Sequence, residues 1–282
     1  MPRWRFHTPI AVVLVAATVG CASRPPSADA VRGTATLGPV RILVYNIHAG
    51  RDAAGVDNLA GVAALVRDLR ADLVLLQEVD RGTRRSGNVD QPAVLAARTG
   101  FHVAFGSALD YDGGKYGVAI LSRWPITFDT LFHLPVHPPQ TRAGGSREPR
   151  GALRADIATP WGSLTIFNTH IDASAADTWR IQEARGVAAL VTAARARRSR
   201  VLLGGDLNST PESAVQQGLR GSGLRDAFAE CGRGPGLTYP ADSAVKRIDY
   251  LYLVDAFRCT VAEVPKSRVS DHLPLLVEVV IP

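Results

Sequence analysis

The chain has 282 residues, of which 46% are hydrophobic and 21% are charged. These ordinary values exclude a disordered chain, a collagen-like repeat and a coiled coil. A polytopic membrane protein is excluded too, because only one stretch near the N-terminus lacks charge over a membrane-like length. The net charge is +6, but residues 1–40 contain four arginines and one acid, which leaves +3 for the rest of the chain. This modest excess is a weak sign of nucleic-acid binding.

The N-terminus has the pattern of an export signal. Arg3 and Arg5 precede an apolar run over residues 10–19, which is followed by small residues. This run is too short to cross a bilayer as a helix. Residues 17–21 (ATVGC) resemble a bacterial lipobox, which implies cleavage before Cys21 and a lipid on its thiol. An ordinary secreted protein with a chance cysteine is the alternative.

We therefore predict three parts: a signal peptide over residues 1–20, a lipidated Cys21 with a flexible tether to residue 40, and a catalytic domain over residues 41–282. The tether region is rich in Pro, Ser, Ala and Gly and cannot form a core. The expected location is the cell envelope, at the outer membrane in a cell that has one. Outside the cytosol, Cys231 and Cys259 could form a disulfide or remain separate buried thiols.

From residue 41 onwards, short apolar runs alternate with amphipathic segments. Residues 41–46 and 73–76 are typical of buried strands, the second ending at Gln77-Glu78. Residues 58–69 have helical spacing of apolar side chains, and Pro92 suits the first turn of a helix that ends near residue 98. Further strands are predicted over residues 102–106, 116–122, 153–158 and 164–170.

The second half continues the pattern with a long helix over residues 177–198 and a strand over residues 200–203. Thr210 is predicted to cap a helix that has Pro211 at its first position. The last strands are predicted over residues 247–254, 257–264 and 273–280. Because the strands cluster without strict βαβ alternation, an α/β fold with a mixed sheet, or with two packed sheets and outer helices, is expected.

Acids, amides and histidines fall at or just beyond the ends of these strands. A buried ionised carboxylate is costly unless it is paired or binds a metal. Several of them at one sheet edge therefore indicate a cation. The residues are Asn46, Glu78, His170, Asp206, Asn208, Asp249, Asp271 and His272.

The segments around these residues resemble the endonuclease/exonuclease/phosphatase superfamily. They are YNIH (45–48), LLQEV (75–79), GVAILSR (117–123), NTHID (168–172), GDLN (205–208), RIDYL (247–251) and SDHLP (270–274), in the family's order. The resemblance implies a four-layer α/β/β/α sandwich, in which two mixed sheets pack face to face with helices outside. It also implies the hydrolysis of phosphoesters.

The resemblance assigns the central metal role to Glu78. Oxygen donors of this kind suit Mg²⁺ or Mn²⁺, with Asn46 and Asp271 as partners in the coordination shell. Arg150 resembles a family position that contacts phosphate; a surface arginine before a strand is the alternative.

The resemblance also implies the catalytic roles. Asp206 would orient and deprotonate the attacking water, and Asn208 would bond that water or the phosphate. His272 would stabilise negative charge as an imidazolium, held by Asp249. His170 would donate to a phosphate oxygen and so contribute to phosphate binding. Other histidines, including His48, have no motif support.

Together these features predict a Mg²⁺-dependent phosphoesterase for a small or membrane-surface substrate, with a lipid headgroup as one option. A secreted DNA or RNA endonuclease of the same family is one alternative, and a catalytically dead binding lipoprotein is another. A sphingomyelinase-like enzyme is disfavoured, because no loop resembles an exposed apolar hairpin. The membrane contact would be the lipid anchor, and no protein partner is evident.

Overall fold

The computed structural model describes residues 1–4, 38–135, 147–197 and 200–281. The predicted lipidation site at Cys21 lies outside these residues, as do most of the predicted signal peptide and tether. The main compact body comprises Gly38–Pro282. No helix in the described part of the chain is long and apolar enough to span a membrane.

The described residues of the body form twelve strands and five α-helices. The strands are β1 (Val40–Asn46), β2 (Leu73–Arg81), β3 (His102–Tyr111), β4 (Gly114–Ser122), β5 (Ile126–His133), β6 (Gly151–Thr159), β7 (Gly162–His170), β8 (Arg200–Asp206), β9 (Arg225–Asp226), β10 (Asp249–Leu253), β11 (Arg258–Glu263) and β12 (Leu275–Val280). The helices are α1 (Leu59–Asp68), α2 (Gln91–Thr99), α3 (Thr178–Ala196), α4 (Ala214–Gly221) and α5 (Ala227–Cys231).

The strands form two mixed sheets of six strands each. The first has the order β11-β12-β1-β2-β4-β3, and the second has the order β5-β6-β7-β8-β10-β9. In each sheet one central pair is parallel, β1 with β2 and β7 with β8. These parallel pairs bring the C-terminal ends of neighbouring strands to the same sheet edge. At this edge of the first sheet Asn46 is paired with Gln77, and at the same edge of the second sheet His170 is paired with Asp206.

Side-chain alternation explains why the sheets are buried on both faces. In β1, Ile42 and Val44 belong to the core between the sheets, whereas Leu43 and Tyr45 pack with the residues of α1. The core between the sheets continues through the second sheet to residues of α3 and α4. The layers are thus helices, sheet, sheet and helices. This confirms the four-layer sandwich of two mixed sheets.

Several elements differ from the sequence-based expectation. The strand β5 and the short elements β9 and α5 were not predicted; β5 is half exposed and therefore has no continuous apolar run. The helix after Pro211 begins later than expected, because Ser213 and not Thr210 caps it: Oγ of Ser213 accepts the amide N–H of Gln216.

The strand β2 does not end at Gln77-Glu78 but continues to Arg81 through a β-bulge. Leu76 pairs with Ala119 and Val79 pairs with Gly117, so two residues of β2 face one residue of β4. Glu78 lies in this bulge with a φ of 55°. A left-handed conformation is unfavourable for a non-glycine residue and is concentrated at functional sites.

Cys231 and Cys259 form a disulfide, with 5.9 Å between their Cα atoms. The bond joins the end of α5 to β11 and so ties the chain after β9 to the edge of the first sheet. The sequence allowed either a disulfide or two separate buried thiols, and the structure has the disulfide.

Candidate active site

The polar residues at the strand ends surround one cavity of about 580 Å³. Seven of the residues singled out in the sequence line it: Glu78, Arg150, His170, Asp206, Asn208, Asp271 and His272. The other two, Asn46 and Asp249, are buried directly behind the lining and contact it. The structure therefore brings all nine predicted residues together, although they are spread over more than 200 positions of the chain.

Asn46 holds two carboxylates close together. Its Nδ2 donates to Oε1 of Glu78 and to Oδ2 of Asp206, each at 3.1 Å. Its Oδ1 accepts the amide N–H of His48 at 3.1 Å, which fixes the orientation of the amide. Glu78 from the first sheet and Asp206 from the second are thus joined through one buried side chain.

Asp249 and His272 form a buried pair beside Asp206. Nδ1 of His272 lies 2.9 Å from Oδ2 of Asp249, and its Nε2 lies 3.7 Å from Oδ2 of Asp206. Burial alone would lower the pKa of His272, but the carboxylates of Asp249, Asp206 and Asp271 outweigh it and raise the pKa. The raised pKa favours the imidazolium form of His272 at neutral pH. Its Nε2–H is too far from Asp206 for a good hydrogen bond and is left for another acceptor.

Burial also raises the pKa of Asp206, and the nearby Asp249 adds to the effect. The amide N–H of Asn208 donates to Oδ1 of Asp206 at 2.9 Å, which favours the ionised form and fixes the carboxylate. A carboxyl group whose pKa is raised towards neutrality is a stronger base than an ordinary aspartate.

His170 differs from His272 because it is neutral. Nδ2 of Asn208 donates to the carbonyl of Ile171 at 3.0 Å and lies 3.0 Å from Nε2 of His170. An amide NH₂ cannot accept a hydrogen bond, so Nε2 of His170 is the acceptor and its proton is on Nδ1. Burial, Arg150 and His272 lower the pKa of His170, in agreement with this assignment. In this arrangement only Nδ1 could make the predicted donation to phosphate.

Asp271 lies at the more exposed side of the cavity, where Oγ of Ser270 donates to its Oδ1 at 3.2 Å. His48, which no motif singled out, also lines the cavity, and its Nδ1 lies 3.9 Å from Oδ1 of Asp271. The sequence feature that could have identified His48 is its position two residues after Asn46.

Arg150 lies in the cavity wall rather than on the surface. Its Nη1 lies 2.7 Å from Oε1 of Glu148, and the two side chains are 4% and 1% exposed. Tyr116 is buried beside this pair; burial, Glu78 and Glu148 raise its pKa, so the phenol keeps its proton. The wall also contains Arg85, Arg180, Tyr239 and Lys246, which no sequence motif identified.

Comparison with known proteins agrees with the fold. The family model described as Endonuclease/Exonuclease/phosphatase family matches residues 43–272. The chain belongs to this family, whose members are hydrolases that act on phosphoesters.

Individual relatives extend over most of the chain. YbhP, an uncharacterized protein of Escherichia coli strain K12, is 25% identical over 250 residues, which are 85% of this chain and 95% of YbhP. A solved endonuclease/exonuclease/phosphatase structure from Beutenbergia cavernae DSM 12333 has a TM-score of 0.74 and 24% identity, covering 86% of this chain and 72% of that one. A mannosyl-6-phosphatase structure from Bacteroides thetaiotaomicron VPI-5482 has a TM-score of 0.70 and 19% identity, covering 86% of this chain and all of that one.

Members of this family generally depend on a divalent metal, and two groups of residues are candidates for holding one. Asp206, Asp249 and His272 have ligand atoms within 4.8 Å of one another. Nδ1 of His272 is bonded to Asp249, so only Nε2 of the ring is left, and a metal there would have to displace the proton that the raised pKa favours. The carboxylates of Glu78 and Asp271, with Asn46 adjacent, offer hard oxygen donors in the same cavity. This second group fits Mg²⁺ or Mn²⁺.

Proposed function

We propose that this protein is a Mg²⁺- or Mn²⁺-dependent phosphoesterase that hydrolyses a small or membrane-surface phosphoester with water. One observation carries the proposal: the buried Asp249–His272 pair meets Asp206 at the same cavity that Glu78 enters. A metal-binding carboxylate, a base for water and an imidazolium for a phosphate oxygen are the groups that such a hydrolysis needs.

The cation would be held by Glu78, with Asp271 and Asn46 beside it. When bound, it would neutralise negative charge on the phosphate and polarise the scissile phosphoester.

Asp206 would accept the proton of the attacking water. Asn208 would orient that water rather than the phosphate, because its two amide protons are directed to Ile171 and His170. Its Oδ1 is an acceptor, which suits a water and not a phosphate oxygen. His272 would donate its Nε2–H to an oxygen that gains negative charge during the reaction, while Asp249 keeps the ring oriented and protonated.

The size and charge of the site favour a small substrate. A cavity of about 580 Å³ lies within the range of small-molecule sites. Tracking duplex DNA requires several phosphate contacts from basic residues, and the net charge of residues 41–282 is only +3. The structural similarity to a mannosyl-6-phosphatase supports a small phosphoester as well.

The proposed location is the cell envelope, with the lipid of Cys21 as the anchor. A disulfide between Cys231 and Cys259 suits a protein outside the cytosol. A flexible tether of the predicted length reaches about 20–25 Å. Substrates held at the same membrane would therefore gain in effective concentration.

The experiment is a competition among substrates in Mg²⁺, with EDTA as the control. The rates kcat/KM are measured on bis-p-nitrophenyl phosphate, phosphoinositides, sphingomyelin, RNA and plasmid DNA at physiological salt. We expect EDTA to abolish turnover and a small or lipid phosphoester to be preferred. Efficient plasmid nicking without turnover of the other phosphoesters would overturn the substrate proposal and support the nuclease alternative.

A further inference from the structure

The cations that line the cavity differ in how accessible they are. Arg150 and Arg180 are almost completely buried, with side chains 4% and 9% exposed, and each has an acidic partner. Arg85 is 27% exposed although it also has an acidic partner, Asp80. A substrate group that entered the cavity could therefore reach Arg85 more easily than the two buried arginines.

The guanidinium of Arg85 is held in one orientation. Its Nε donates to Oδ2 of Asp80 and its Nη2 donates to Oδ1, both at 2.8 Å. Asp80 is fully buried, and Oγ1 of Thr83 donates to its Oδ2 at 2.7 Å. This two-point pairing fixes the plane of the guanidinium and leaves its Nη1 edge without an acceptor among the described residues.

Two aromatic rings also pack against the guanidinium of Arg85. The Cζ atom of Arg85 lies 4.8 Å from the ring centroid of Tyr111 and 5.1 Å from that of Tyr116. Tyr116 lines the same cavity as Glu78 and Arg85. Arg85 is thus a preoriented donor on the cavity wall, near to but separate from the groups assigned to the reaction.

We propose that Arg85 forms a second anion subsite, which binds a phosphate of the substrate other than the one that is hydrolysed. The inference rests on the proposed function and adds the substrate class: a compound with two phosphate groups, either soluble or as a lipid headgroup. Asp80 and Tyr116 would act as positioning residues. The fixed guanidinium would lose little side-chain freedom on binding, which favours affinity and specificity.

The test is binding without turnover. The full-length mature protein with His272→Ala is loaded with Mg²⁺, and its affinity is measured by calorimetry for myo-inositol 1-phosphate and myo-inositol 1,4-bisphosphate. Vesicles that contain phosphatidylinositol 4-phosphate distinguish a lipid headgroup from a soluble compound. We expect the bisphosphate to bind more tightly than the monophosphate, and Arg85→Gln to weaken the bisphosphate about tenfold and the monophosphate less than about twofold.

Three further variants separate a subsite from a general effect. Arg84→Gln removes an adjacent charge that pairs with Asp112 and does not line the cavity, so it should leave both affinities unchanged. Asp80→Asn with Arg85→Gln removes both partners and avoids a buried unpaired carboxylate if the single variant fails to fold. Lys246→Gln removes the exposed cation of the cavity.

Equal losses for both ligands in Arg85→Gln, or an effect confined to Lys246→Gln, would overturn the assignment. Turnover of bis-p-nitrophenyl phosphate is measured separately from these binding affinities, as the test of the proposed hydrolysis. Turnover without any preference for the bisphosphate would contradict the subsite alone, whereas a preference without turnover would contradict the proposed hydrolysis.

Discussion

Asp206 and Asp249 lie directly opposite each other on the antiparallel strands β8 and β10, and both are almost fully buried. Two like charges at opposite positions of a sheet destabilise it. His272 compensates, because its Nδ1 bonds Asp249 and its Nε2 lies 3.7 Å from Asp206. The positive charge of the protonated ring thus offsets the repulsion between the two carboxylates. The protonation states of Asp206, Asp249 and His272 therefore depend on one another.

The first prediction concerns the pair of Asp249 and His272. If Asp249 acts only by orienting and charging the ring, Asp249→Asn and His272→Ala should each lower kcat/KM by on the order of 10²–10⁴. The double variant should be little worse than the more severe single one. The measurement is kcat/KM on bis-p-nitrophenyl phosphate, with Asp242→Asn as an exposed control. Fully additive losses would show that the two residues act independently.

The second prediction concerns the metal. Glu78→Gln keeps the shape of the side chain but removes the charge that holds a hard cation. We expect Mg²⁺ to bind at least about tenfold more weakly in isothermal titration. Glu212→Gln, which changes an exposed glutamate outside the cavity, is the matched control. Equal affinity in Glu78→Gln and the unmodified protein would remove Glu78 from the metal site.

The third prediction concerns stability and pH. Burial is the main cause that raises the pKa of Glu183 from 4.5 to about 8; the hydrogen bond from the amide N–H of Asp172 and the charge of Arg150 oppose it, and the carboxylates of Asp172 and Glu148 add to it. The folded chain therefore keeps this proton at pH values where the unfolded chain has lost it. The contribution of Glu183 to stability is full below pH 4.5 and is lost as the pH rises to about 8.

Glu183→Gln removes this dependence, so its free energy of unfolding relative to the unmodified protein should rise with pH. We expect a change of about 2–4 kcal/mol between pH 5 and pH 8, measured by urea unfolding. Glu212→Gln again provides the comparison. A difference that stays constant over this range, or that falls, would show that Glu183 is ionised in the folded protein.

The fourth prediction concerns the N-terminus. If residues 17–21 act as a lipobox, the mature protein begins at Cys21 with lipid on its thiol. Mass spectrometry of the membrane fraction should show a diacyl or triacyl adduct there, and Cys21→Ser should release the protein from the membrane. A soluble protein that is cleaved at another residue would contradict the prediction.

Strand and helix positions followed closely from the sequence where burial was complete. The runs at residues 41–46 and 73–76 are apolar on both faces, because each strand lies between a helix layer and the other sheet. The strand β5 escaped detection because it lies at a sheet edge and is largely exposed. Exposure relaxes the need for an apolar pattern, and the pattern is the signal that sequence reasoning uses.

The candidate site was predictable as a set of residues but not as a set of bonds. Motifs identified Asn46 and Asp206, yet the amide of Asn46 that joins Asp206 to Glu78 depends on two sheets meeting. The sequence also did not predict the pairing of Arg150 with Glu148 or the position of Arg85 in the cavity wall. These depend on side-chain direction and on the bulge in β2, neither of which periodicity reveals.

That bulge has a consequence for two residues that line the cavity, Glu78 and Arg85. Along β2, Leu75 belongs to the core between the sheets and Leu76 to the core under the helices, but Val79 also belongs to the helix side. If the same residues followed regular alternation with no bulge, Val79 would lie on the opposite face and Asp80 would turn away from Arg85. Deletion of Gln77 or Glu78 would remove the bulge and leave Val79 and Asp80 on their present faces. The bulge therefore accommodates Glu78 as an additional residue of the strand without changing the face of Asp80, which holds the guanidinium of Arg85.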